Sequence, residues 1–272
     1  MHYIGMSSIG FEHTEENFAK FRESGLTAVE VALSSKVDMD LKQFANLAKK
    51  HDIKLWSCHL PYSPFDVFDV SLESPETRKN AIAIMSEKIR ILSEFGVDKF
   101  VLHPSTPIPE TSDRDERKKC TMDSFAKLAE VAGRCGAVIA AEDMILSCLG
   151  NSADELLEII SVDDRIKVCF DVNHLFNDTH IEFAKKVSDK IVTMHISDYD
   201  FIEERHWFPG NGKINWPELY NVMCDIGYDG AWIYELGLRT RLPIGGFSYL
   251  TFDDFYNNAQ TIFSGKHPTK TF

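Results

Sequence analysis

The stretch Ile166-Lys-Val-Cys-Phe-Asp171-Val-Asn-His174 and the later Ile191-Val-Thr-Met-His195-Ile-Ser-Asp198 share one plan, an apolar run that ends in a carboxylate or an imidazole. Short runs of this kind read as buried strands. The plan extends backward to Cys58-His59-Leu60-Pro61, Leu102-His103-Pro104 and Ala141-Glu142-Asp143, and forward to Tyr234-Glu235-Leu236. Apolar runs fall at 3–9, 28–33, 54–60, 99–103, 138–142, 166–171, 191–196 and 231–236, and helical patterns separate them. Eight alternating strand–helix units predict an α/β fold, a single (β/α)8 TIM barrel spanning residues 1–272. In such a barrel the strands are parallel, so the strand-end ligands share one face.

The helical segments have readable ends. Ser74-Pro75 predicts an N-cap with proline in the first turn, followed by a stripe of Ile82, Met85, Ile89 and Leu92 that stops at Gly96. Asp40 precedes Leu41, Phe44, Leu47 and Ala48, and Phe125, Leu128, Ala129 and Ala132 form a stripe closed by Gly136. Ser152-x-x-Glu155 predicts a capping box. The chain has no G-x-G-x-x-G and no P-loop, which argues against a doubly wound nucleotide-binding sheet. Segments 104–113, 198–216 and 237–249 are longer than a barrel requires and are expected on the catalytic face as irregular lids.

With 29 Lys plus Arg against 42 Asp plus Glu, the formal net charge is −13, which disfavours nucleic acid and anionic membranes as partners. The six cysteines show no C-x-x-C pair and read as free thiols. No run approaches the roughly 18 apolar residues of a membrane span, and the expectation is a cytoplasmic protein, with assembly into a homo-oligomer left open.

Glu142, Asp171, His195 and Glu235 close the last four strands, where neighbouring strands lie about 4.8 Å apart and side chains can converge on one ion. Any one of them could be a buried polar residue satisfied by backbone. Four at matched positions point to a metal, because buried carboxylates are costly unless paired or metal-bound. Three carboxylates and one imidazole suit one divalent ion among Mn²⁺, Zn²⁺, Co²⁺ and Mg²⁺, with Mn²⁺ or Zn²⁺ favoured. His59, His103 and His174 extend the set as candidates for substrate binding or a second metal. Glu30 shares the parity of Ala28 and Ala32 and is expected to point inward as an ion-pair partner. Tyr62, Trp207 and Phe208 are candidate rings for stacking on a ligand, and Lys213, Arg239 and Arg241 read as surface charges.

The segment from His195 through Arg205-His206 to Pro209-Gly-Asn-Gly-Lys-Ile-Asn-Trp216, with Asp171-x-x-His174 before it, resembles the xylose isomerase-like TIM-barrel superfamily and within it the sugar phosphate isomerase/epimerase group. The resemblance implies that Glu142, Asp171, His195 and Glu235 bind the catalytic metal, and that Glu142 and Glu235 also exchange protons with substrate carbon. It further implies that His174 and Arg205 hold oxygens of a small sugar, with His59, His103 and His206 lining the same site. Arg205 lies farther beyond His195 than the equivalent arginine of ketose 3-epimerases does, a departure from that pattern.

The chemistry expected is proton abstraction next to a carbonyl through an enediolate, by a metal-dependent sugar or sugar phosphate isomerase or epimerase. Inosose dehydratases share the first step. Type IV AP endonucleases offer a three-zinc phosphodiesterase alternative, to which His59, His103, His174 and His206 also conform, although the expected aspartate is Glu204 here. A non-enzymatic sugar-binding barrel would be expected to have lost Glu142 or Glu235.

Overall fold

The computed structural model describes residues 2–33 and 39–272. Eight parallel strands close into a barrel in sequence order: β1 (Tyr3–Ser7), β2 (Ala28–Ala32), β3 (Lys54–His59), β4 (Lys99–Leu102), β5 (Val138–Glu142), β6 (Ile166–Asp171), β7 (Ile191–Ile196) and β8 (Ala231–Tyr234), with β8 pairing back onto β1. Strands β5, β6 and β7 match their apolar runs, and the other five stop one or two residues short of theirs. The run at 3–9, for instance, turns into a 3-10 helix at Ser8–Gly10.

Period-two alternation sorts the strand residues. Phe100, Ile139, Phe170, Met194, Trp232 and Tyr234 face outward into the continuous core beneath the helices. Inside the barrel lie small separate clusters, Ala28 with Trp56, Ala231 and Ile233, and Val101 with Ala140 and Cys169. Ala140, Cys169 and Ile233 share parity with Glu142, Asp171 and Glu235, so the same inward faces that fill the barrel also carry the ionisable ends.

The helix caps follow local chemistry. Asp40 and Ser74 accept from the backbone of Gln43 and Thr77, and the helices Leu41–Lys50 and Pro75–Ser93 begin there. Gly96 and Gly136 adopt positive φ where helices end. Only half of the capping box expected at Ser152 forms. Ser152 accepts from Glu155 N, but the Glu155 carboxylate turns to Arg114 and the Gly150 amide. A charged partner is the stronger hydrogen-bond donor. Reciprocal boxes occur instead at Thr179–Glu182 and Thr251–Asp254.

The three long segments are tethered. Pro104 O accepts from Thr121, and Ser105 Oγ accepts from the Leu149 amide. Segment 237–249, expected to be irregular, contains an antiparallel hairpin of β9 (Arg239–Arg241) and β10 (Phe247–Tyr249). In segment 198–216 buried Asp198 accepts from the amides of Tyr199, Gly210 and Ile214 and from Trp216 Nε1. A Cβ on Gly212 would lie 2.1 Å from Asp198 Oδ1, which explains why the Pro-Gly-x-Gly-x-Ile-x-Trp tail needs glycine there. All six cysteines are free. Among the described residues, no helix is long and apolar enough to cross a membrane.

Candidate metal centre

His195 ends β7 with its ring fully buried, and its Nδ1 lies 2.9 Å from Glu142 Oε1, 3.5 Å from Glu235 Oε2 and 3.9 Å from Asp171 Oδ2. One donor atom from each of the four lies within 4.8 Å of the others. The barrel ladder brings this about. Asp171 pairs in register with His195, His195 with Ile233, and the Glu235 amide continues the ladder to Ile196 O. Asp171 Oδ2 is buried and accepts no hydrogen bond. Three carboxylates and one imidazole converging on such an orphaned oxygen fit a divalent cation.

Two further groups that bring in additional histidines adjoin this one. Glu142 Oε2 lies 3.1 Å from His59 Nε2 and 3.0 Å from His103 Nε2, so the two oxygens of Glu142 face different imidazole sets. On the other side, His206 Nε2 lies 2.6 Å from Glu204 Oε1, and His174 Nε2 lies 3.7 Å from the same oxygen. Both trios have donor spacings compatible with a metal. His174 Nδ1 donates to Asp143 O at 2.8 Å, which leaves Nε2 aimed at Asp171 and Glu204.

The charges are strongly interdependent. Burial works to raise the Glu142 carboxyl, but His195 and His103 outweigh it and hold it well below its usual range. Burial likewise opposes charging of His59, yet Glu142 lifts that ring to about 9. Burial lowers His103. His206 is lifted to about 9 against its burial, chiefly by Glu204. Glu235 is pushed up to about 7 by burial, with His195 opposing and Asp171 and Glu142 adding to the rise.

A cavity of about 410 Å³ opens above the centre, lined among others by Tyr62, His103, His174, Arg205, His206 and Glu235. Arg205 reaches it with Nε paired to Asp200 and Nη1 paired to Glu203. Of the candidate stacking rings, Tyr62 lies in the cavity wall against His103, with centroids 4.4 Å apart. Phe208 is buried between Tyr234 and Phe255 and packs the loop. Lys213 is exposed away from this cavity, whereas Arg239 and Arg241 line its rim. In the sequence Glu204 stands out only as a departure from a motif and Asp143 carries no assigned role, yet both contact His174 or Asp171 here. Their positions beside histidines at i+2 and across β6 were the available signals.

Fold and site together define a class, a closed parallel barrel with a carboxylate–imidazole centre at the C-terminal ends of its strands. The chain belongs to the xylose isomerase-like TIM barrel family, whose model matches residues 18–245. It is 24% identical over 238 residues to D-psicose 3-epimerase of Ruminiclostridium cellulolyticum, covering 83% of this chain and 79% of that protein. The crystal structure of a D-tagatose 3-epimerase-like protein superimposes with a TM-score of 0.77 at 24% identity, covering 86% of this chain and 90% of that one. A probable endonuclease 4 of Mycoplasma genitalium is 29% identical over 133 residues, 46% of this chain and 42% of that protein.

Proposed function

We propose that the protein is a divalent-metal-dependent isomerase or epimerase of small sugars, with Glu142, Asp171, His195 and Glu235 as metal ligands and Mn²⁺ or Zn²⁺ favoured. The observation that carries this reading is the convergence of Glu142, Asp171 and Glu235 on His195 Nδ1 beneath an open cavity. That cavity lies in the size range of small-molecule sites. The similarity to D-psicose 3-epimerase makes ketohexoses the first substrates to test.

When bound, the ion supplies an electrophile that holds sugar oxygens and offsets the charge of an enediolate. Glu235, partly open to the cavity and raised toward neutrality, is placed to take the proton from the carbon next to the carbonyl. Glu142 is the second carboxylate, available for return of a proton to the other face. Two bases acting on opposite faces give epimerisation, whereas one base serving two carbons gives aldose–ketose isomerisation. His174 and His206 offer hydrogen bonds to substrate hydroxyls, and Tyr62 offers a ring face.

In the metal-loaded protein, Glu142→Gln and Glu235→Gln should each lower kcat on a responsive ketohexose by at least about 100-fold. Turnover near wild type in either variant, with metal content retained, rules the two-carboxylate scheme out. A dehydratase would share the sensitivity but release water, which product analysis by mass detects.

A second reading is favoured by the two extra trios, His59–His103–Glu142 and His174–Glu204–His206, which with the central group could hold three ions for phosphodiester hydrolysis. The net charge of −13 weighs against a DNA substrate. Metal counting by anomalous scattering, paired with an incision assay on abasic duplex DNA in saturating zinc, separates the two. Three ions with robust incision would replace the sugar reading.

A further inference from the structure

We propose that Glu30 is a positioning residue that holds His195 with Nδ1 turned toward the metal. The proposal rests on the reading that Glu142, Asp171, His195 and Glu235 bind a divalent ion. Glu30 sits in the middle of β2, fully buried, on the strand opposite the ligand-bearing half of the barrel. Its Oε2 accepts from Ser57 Oγ at 2.7 Å and lies 3.0 Å from His195 Nε2. The other nitrogen of the same ring faces the three carboxylates. Both ring nitrogens face carboxylates at hydrogen-bond distance in the metal-free protein, and a carboxylate only accepts, so when a cation takes the place of the proton on Nδ1 Glu30 retains the other proton on Nε2. Carboxylates in this relation orient ligating histidines and raise their basicity.

Two register shifts build the contact. Between β2 and β3, Val29 pairs with Leu55 but Glu30 pairs with Ser57, so Trp56 is the extra residue and the Ser57 hydroxyl stands opposite Glu30. Between β6 and β7 the register skips Val192, which sets Thr193 opposite Cys169 and His195 opposite Asp171. The displaced Trp56 then donates from Nε1 to Thr193 Oγ1 at 3.1 Å, two residues below His195. Bulges of this kind re-aim side chains. Glu30 Oε1 is buried and accepts no hydrogen bond, an arrangement that works against stability and is unexpected of a purely structural ion pair.

The test measures Mn²⁺ affinity by competition against a chelating dye, together with the visible spectrum of the Co²⁺-loaded protein, for wild type, Glu30→Gln and Ser57→Ala. Glu30→Gln should bind Mn²⁺ about 10- to 100-fold more weakly and alter the cobalt spectrum. Ser57→Ala keeps the Glu30 charge and should weaken binding to a smaller degree. It also serves as the reading if Glu30→Gln does not fold. Unchanged affinity and cobalt spectrum in the folded variants, with only the thermal transition of the metal-free protein lowered, would make Glu30 a core ion pair and overturn the proposal. Failure of the wild type to bind Mn²⁺ or Co²⁺ at this centre would instead overturn the metal reading itself, a result distinguishable from the first.

Discussion

At the N-terminal end of the barrel, Trp56 lies against Tyr3 with ring centroids 5.2 Å apart, Lys54 and Lys99 sit over its ring, and its indole N–H is bonded to Thr193. At the C-terminal end of the same strands, Glu142, Asp171 and Glu235 crowd around His195, and Asp171 Oδ2 has no hydrogen-bond partner. A cleft of about 670 Å³ adjoins the N-terminal end, larger than the cavity over the carboxylates, yet its Arg22 is already paired with Asp52. Volume therefore does not separate the two ends. The difference lies in the ionisable groups, since at one end Arg22 and the Trp56 indole are paired, whereas at the other three carboxylates crowd a single imidazole nitrogen. The carboxylate-rich end is where a cation binding only the folded chain would add stability.

The largest expected effect tests the closed end. Trp56→Ala removes a buried indole and should cost about 3–5 kcal/mol of stability, read by denaturant unfolding, and with the bond to Thr193 beneath His195 lost it should also weaken Mn²⁺ binding, to a smaller degree than Glu30→Gln does. Unchanged metal affinity would show that the two ends are independent and that the Trp56–Thr193 bond does not help set His195.

Next in size, Mn²⁺ at about 100 times its Kd should stabilise the wild type by about 2.7 kcal/mol, seen as a rise in Tm. Asp171→Asn should lose most of that rise. An equal rise in the variant would place the ion elsewhere.

The smallest effect is a pH dependence of the metal-free protein. Glu235 titrates near 4.5 ordinarily and near 7 in the fold, so the folded state binds the extra proton between those values. Stability contributed by this group is complete below about 4.5 and is lost as pH rises through about 7. Glu235→Gln should therefore be more stable than wild type at pH 8 by roughly 1–2 kcal/mol, with the gap closing by pH 5. A gap that stays constant with pH would mean that Glu235 is not the group so raised.

Much of this was legible along the chain. The barrel followed from eight apolar runs alternating with helical stripes, because burial on both strand faces leaves a signature that needs no partner to be read. Glu142, Asp171, His195 and Glu235 were legible as strand ends because parallel closure sends all such ends to one face. Which nitrogen of His195 meets the carboxylates was not legible, since it depends on Glu30 far away in sequence and on two register shifts that no local pattern announces. The engagement of Arg205 by Asp200 and Glu203, and the division of Glu142 between two sets of imidazoles, likewise exist only once the loops are placed. Sequence alone determined the strand count and the residue types at the strand ends, because periodicity and local chemistry are properties of neighbours in the chain. Tertiary structure decided which of those groups converge, which are already paired and which way a ring turns, because those outcomes rest on distances of 3–4 Å between residues separated by whole strands.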